Sequence, residues 1–68
     1  MKKITIKTEY ITLGQFLKIA DFIYSGGEAK FFLAENKVYV NDELDDRRGR
    51  KLYKGDSVKI NNETYVIS

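Results

Sequence analysis

The chain has no cysteine, no histidine and no proline. Without cysteine there is no disulfide framework and no thiolate metal site to brace a small fold, and thiol catalysis is excluded. The absence of histidine removes the commonest general base and metal ligand, leaving Asp, Glu, Lys, Tyr and Ser for any chemistry, which argues against an enzyme. Long apolar runs are missing as well. After Met1-Lys2-Lys3 polar and apolar residues alternate, so neither a signal-peptide core nor a membrane span is present and the expected location is the cytoplasm. Charge of one sign is scarce too: the net value is only +2, so any polyanion site must come from an uneven distribution rather than from the sum.

What is present suffices for one small domain spanning residues 1–68. A chain of 68 residues hides only about 60% of the surface its unfolded form exposes. The core is therefore small, yet with 43% hydrophobic residues, five Tyr and four Phe there is enough apolar material for a folded domain rather than a disordered tail. No internal repeat, low-complexity tract or linker interrupts it.

Lys3-Ile4-Thr5-Ile6-Lys7 alternates with period two and predicts a first strand at a sheet edge, with Ile4 and Ile6 on one face. Thr12 and Gln15 have the spacing of a capping box, and Ile11 and Phe16 that of a hydrophobic staple, so a helix starts at Thr12. Leu13, Phe16, Leu17, Ala20 and Ile23 then form an apolar stripe ending near Tyr24, with Lys18 pointing away. Ser25 and Glu28 make a second capping box, predicting a second helix with Ala29, Phe32 and Leu33 inward and the two helices meeting at a tight corner. Asn36 is expected to end that helix in a left-handed conformation. Val38-Tyr39-Val40, a turn at Asn41-Asp42 and Glu43-Leu44 make a hairpin. Asp45 to Lys51 has no apolar residue and reads as an exposed connection, before Leu52 re-enters the core. Ser57 to Ile60 and Thr64 to Ile67, separated by Asn61-Asn62, form a final hairpin. Pairing of the first and last strands would bury Ile4, Ile6, Val66 and Ile67 together.

Chemistry could sit at three places. Arg47, Arg48, Arg50, Lys51 and Lys54 cluster around Gly49, and guanidinium groups can grip phosphate oxygens through paired hydrogen bonds. The same residues also fit a solvated loop balanced by Asp42, Glu43, Asp45 and Asp46. The Ser25-Gly26-Gly27 corner could offer backbone N–H groups to a phosphate, or Ser25 and Glu28 could simply cap each other's backbone. Lys18 and Lys30 would flank this corner. Tyr10, Tyr24, Tyr39, Tyr53 and Tyr65 could stack on unpaired bases, although in so small a core most are expected to pack against the fold. The carboxylates lack the spacing of a calcium loop, so no metal or other cofactor is expected.

Leu13-x-x-Phe16-Leu17-Lys18, Ser25-x-x-x-Ala29, Val38-x-Val40-Asn41 and Leu52-x-x-Gly55-Asp56-x-Val58, in that order, resemble the RNA-binding domain first named for ribosomal protein S four, also called the alpha-L motif. The match covers residues 11–60. Ser-Gly-Gly at the corner and Arg-Arg-Gly-Arg-Lys-Leu in the loop resemble in particular the stand-alone bacterial proteins of the YaaA and YbcJ type. The resemblance implies an α+β fold, the alpha-L RNA-binding fold, with a two-helix corner packed on a small, mostly antiparallel β-sheet. It also implies contacts to structured RNA, typically ribosomal RNA or a ribosomal subunit, from Gln15, Lys18, Ser25, Gly26, Gly27, Lys30, Lys37, Asn41, Arg47, Arg48, Arg50 and Lys51. The sequence departs from the wider family at Thr12 and Gly26, where Arg is common, and at Gly14, where Asp is common. With two basic contacts missing, the Arg47 to Lys51 loop would carry more of the load. Asn36 and Asp42 replace two customary glycines.

The function so implied is a non-catalytic, monomeric RNA-binding protein acting in ribosome assembly or function, with contacts mainly to phosphates and RNA shape. The alternative is a protein–protein interaction module docking on a ribosomal or assembly protein, using the acidic patch beside the basic one.

Overall fold

The computed structural model describes all residues 1–68. Seven strands and two short helices run in the order β1 (Lys2–Ile4), β2 (Tyr10–Thr12), α1 (Leu13–Ile19), a 3-10 turn (Gly26–Glu28), α2 (Ala29–Glu35), β3 (Val38–Val40), β4 (Glu43–Leu44), β5 (Lys51–Tyr53), β6 (Ser57–Ile60) and β7 (Glu63–Ile67). The fold is α+β. Five strands form a sheet in the order β1-β7-β6-β3-β4, antiparallel except for β1 beside β7, and β2 pairs with β5 in a separate two-stranded ribbon. Strand alternation sends Val38, Val40, Val58, Ile60, Tyr65 and Ile67 into a core shared with Leu13, Phe16 and Leu17 of α1 and Ala29 and Leu33 of α2. The Phe16 ring meets Tyr65 edge to face at 5.3 Å, which ties α1 to the sheet. Truncating Phe16, fully buried, would cost about 3–5 kcal/mol.

The turns follow local chemistry. Asn41-Asp42 and Asn61-Asn62 take positive φ at both central positions (50° and 69°, 51° and 69°), the conformation that returns a two-residue hairpin along a twisted pair of strands. The first and last strands do pair, in parallel, with Lys3 opposite Val66 and Ile4 opposite Ile67. That register buries Ile67 but turns Val66 to the other face, where it is half-exposed, while Ile6 is buried beyond the end of β1 through its N–H bond to the Ser68 carbonyl at 2.8 Å. The four side chains therefore do not form one cluster, because adjacent strand residues face opposite ways.

Helix α1 stops at Ile19, well before Tyr24. Asp21 takes φ 65°, its N–H donates to the Lys18 carbonyl and the Phe22 N–H to the Leu17 carbonyl, which is the paired-bond Schellman termination. Ile23 is still buried, so the apolar spacing runs on past the end of the helix. The expected left-handed end at Asn36 is not found: φ is −127°, extended, and the Asn36 side-chain amide donates to the Phe32 carbonyl instead. The second helical stretch begins as expected after Ser25, but as a 3-10 turn that becomes α-helix only at Ala29. The sequence pattern does not predict the ribbon of β2 and β5, since three-residue strands leave almost no periodicity.

Candidate nucleic-acid interface

Helix α1 begins under tight control. Thr12 and Gln15 cap each other as their spacing predicts: the Thr12 N–H donates to Gln15 Oε1 at 2.8 Å and the Gln15 N–H to Thr12 Oγ1 at 3.2 Å. The two remaining first-turn donors are satisfied from elsewhere. Leu13 N–H donates to the Arg50 carbonyl at 2.8 Å and Gly14 N–H to the Arg48 carbonyl at 2.9 Å, so the basic loop is docked by its backbone onto the start of α1. Gly14 makes this approach possible. A Cβ there would lie 3.3 Å from the Arg48 oxygen and 3.6 Å from the Ala29 Cβ, at the point where α1, α2 and the loop meet.

The loop is also fastened from within, through a buried residue that contradicts its reading as an exposed connection. Asp45 is buried, at 7% exposure. Its carboxylate accepts from the Arg47 N–H at 3.0 Å, from the Arg47 guanidinium at 3.0 and 2.8 Å, and from the Arg50 guanidinium at 2.9 Å. The Arg47 side-chain hydrogen bonds chiefly, with its backbone N–H and Arg50 adding to them, hold the Asp45 carboxyl far below the usual carboxylate range in spite of burial. Arg47 and Arg50 thus compensate a buried charge.

The other cations are differently placed. Arg48 is exposed and shares a groove with Thr12, Gly14, Gln15 and Lys18, closed on the far side by Gly26, Ala29 and Gly49. Neither Lys18 nor Arg48 takes part in an ion pair. Lys51 lies beside this region in β5, its Nζ 5.0 Å from the centre of the Tyr10 ring. At the corner itself Glu28 Oε1 accepts the N–H groups of Tyr24 and Ser25, both at 3.1 Å. A carboxylate already occupies that corner, which favours capping over a phosphate cradle for Ser25, Gly26 and Gly27. Lys30 is exposed on α2 but does not line the groove.

Lys37 and Asn41 lie away from this groove. Lys37 shares a separate depression with Tyr39, Asp42 and Lys59, and the Asn41 side chain accepts the Ser57 N–H at 3.0 Å and donates to Asp56 at 3.2 Å, fastening the hairpin. Of the tyrosines only Tyr65 is buried, whereas Tyr24 stands 94% exposed and Tyr10 and Tyr53 lie half-exposed against each other. With Tyr39 partly buried as well, four of the five pack at least in part against the fold, as expected, and Tyr24 alone stands free. The sequence pattern assigns Gly14 no contact. A glycine at the second position of a helix otherwise full of good helix formers was the available signal. No group of three or more acidic side chains is placed to hold a metal ion, and no helix is long and apolar enough to cross a membrane.

The sequence matches the S4 domain over residues 4–68. A protein of Bacillus subtilis (strain 168) named "Probable ribosome maturation protein RlbA" is 70% identical over 57 residues, which cover 84% of this chain and 80% of that protein. With the two-helix corner, the mostly antiparallel sheet and this match over nearly its whole length, the chain belongs to the S4 domain family.

Proposed function

We propose that this protein is a non-catalytic RNA-binding module that grips the phosphates and shape of a folded RNA, ribosomal in kind, through the groove between the start of α1 and the basic loop. The observation that carries the reading is the docking of the loop on α1 through Gly14 and the Arg48 carbonyl, which puts Lys18 and Arg48 in one groove with no carboxylate paired to either. Two unpaired cations and adjacent side-chain amide and hydroxyl groups suit phosphate oxygens, which take charged donors first and polar ones around them. Gln15 joins them there. Arg47 and Arg50 hold the loop in shape, and their outward guanidinium edges add positive potential rather than independent grips. The ribosome-maturation name of the Bacillus relative supports a ribosomal RNA as the target and assembly as the setting. The protein-docking alternative is weakened because Asp45, central to the acidic patch, is used internally, leaving Asp42, Glu43 and Asp46 exposed.

Affinity for a folded ribosomal RNA fragment and for a duplex DNA of equal charge, each across a salt series, tests the proposal. RNA should bind tighter at every salt concentration, with a slope corresponding to roughly three to five phosphate contacts. Equal binding of the two polymers, confined to low salt, would show a merely adhesive basic loop.

A further inference from the structure

We propose that the concavity bounded by Tyr10 and Ile19 is a site for a single unpaired nucleotide, its base stacked on the Tyr10 ring; this rests on the RNA-binding reading above. The ribbon register places Tyr10 opposite Tyr53 and Thr12 opposite Lys51 on one face, while Ile11 and Leu52 enter the core from the other. Tyr10 and Tyr53 are 38% and 41% exposed, with ring centroids 5.7 Å apart and planes tilted by 46°. Lys51 Nζ also lies over the Tyr10 ring. The ring is therefore braced by Tyr53 and Lys51, both of which border the depression beside Arg47 and Arg50. The concavity lined by Thr8, Glu9, Gln15, Lys18 and Ile19 has Tyr10 as a wall but neither Tyr53 nor Lys51.

Ile19 supplies a second apolar wall. It sits at the end of α1 yet is 53% exposed, an apolar side chain left open at the mouth of a hollow. A planar base placed between an aromatic ring and an aliphatic side chain would cover both, and base–aromatic stacking is tolerant of sequence because every base has a π-face. Hydrogen-bonding groups remain for its edge. Gln15 Oε1 is already engaged by the Thr12 N–H, which leaves the Gln15 amide N–H groups as donors, and the Lys18 ammonium has no ion-pair partner. Donors at that wall favour a base presenting carbonyl oxygen, uracil or guanine over adenine, with the Glu9 carboxylate an acceptor at the rim. Thr12, Gln15 and Lys18 line both this hollow and the phosphate groove, so a nucleotide seated here would leave its phosphate beside Arg48.

The test compares an RNA hairpin carrying one bulged uridine with the same hairpin fully paired, by fluorescence anisotropy at fixed moderate salt. The wild-type protein should bind the bulged hairpin ~5-fold to 150-fold tighter, the range that stacking one base on an aromatic side chain gives. Tyr10→Leu should abolish that preference without changing affinity for the paired hairpin, and Tyr10→Phe should keep it. Ile19→Ser, which leaves the ribbon untouched, should reduce the preference as well and decides the matter should Tyr10→Leu fail to fold. Equal binding of the two hairpins by wild type, or equal weakening of both by Tyr10→Leu, overturns the nucleotide site while leaving the RNA-binding reading in place. Failure of wild type to bind either hairpin overturns both.

Discussion

Arg47 and Arg50 on one side, Lys18 and Arg48 on the other, are cations of similar reach within a few residues or one groove of each other, and they have opposite duties. The first two close on a buried carboxylate and hold the loop. The second two have no carboxylate partner and face the groove between loop and helix. A basic run is therefore not a uniform binding surface: the charge that shapes the loop is subtracted from the charge that can meet a ligand. The difference also separates stability from affinity, which makes it open to experiment.

The largest effect is expected at Asp45. Replacing it by Ala removes a buried carboxylate that accepts four hydrogen bonds, three from Arg47 and one from Arg50, and should destabilise the domain by about 2–3 kcal/mol. Denaturant melts of D45A against wild type measure this directly. Acid should reproduce it. Because the Asp45 carboxyl is held below its ordinary value in the folded state, its contribution is complete above that ordinary value of about 3.9 and is lost as pH falls further toward the folded-state value. Stability should thus be flat in this respect near neutrality and decline below about pH 4, and D45N should flatten that decline.

Next in size is the loss of the unpaired cations. Lys18→Ala combined with Arg48→Ala should weaken binding of a ribosomal RNA fragment by ~10-fold or more at moderate salt, while thermal stability stays within about 0.5 kcal/mol. Arg50→Ala should do the reverse, lowering stability first. If the double variant melted early and R50A did not, the division between the two pairs would be wrong.

Gly14→Ala should cost about 1 kcal/mol, because a Cβ 3.3 Å from the Arg48 carbonyl forces the loop to yield by a few tenths of an ångström. The smallest effects contrast two helix ends. Asp21→Gly, at φ 65°, should stabilise by about 0.5–1 kcal/mol, whereas Asn36→Gly, at φ −127°, should destabilise by a similar amount. Thermal melts of the two single variants should move in opposite directions.

These contrasts show where sequence is legible and where it is not. The capping box at Thr12 and Gln15, the Asn-Asp and Asn-Asn turns and the strands they join could all be read, because each depends on residues within four positions of one another. The end of α1 could not. Ile23 keeps the apolar spacing of a helix although the backbone has already turned at Asp21, since burial is set by tertiary packing in the core and not by helical continuity. Nor could the role of Asp45 be read from a stretch of charges without apolar residues: which carboxylate is buried depends on how the loop closes over α1 and α2, a tertiary fact. The family resemblance placed Lys18, Gln15 and Arg48 in one list with Lys37 and Asn41, and only the three-dimensional arrangement separates the groove from the hairpin.

The most direct measurement is the salt dependence of affinity for a folded ribosomal RNA fragment, wild type against Lys18→Ala/Arg48→Ala, with circular dichroism verifying that both proteins are folded. The predicted result is a slope of log affinity against log salt that falls by about two in the variant, one for each phosphate contact removed. An unchanged slope with unchanged affinity would contradict the assignment of RNA phosphates to this groove.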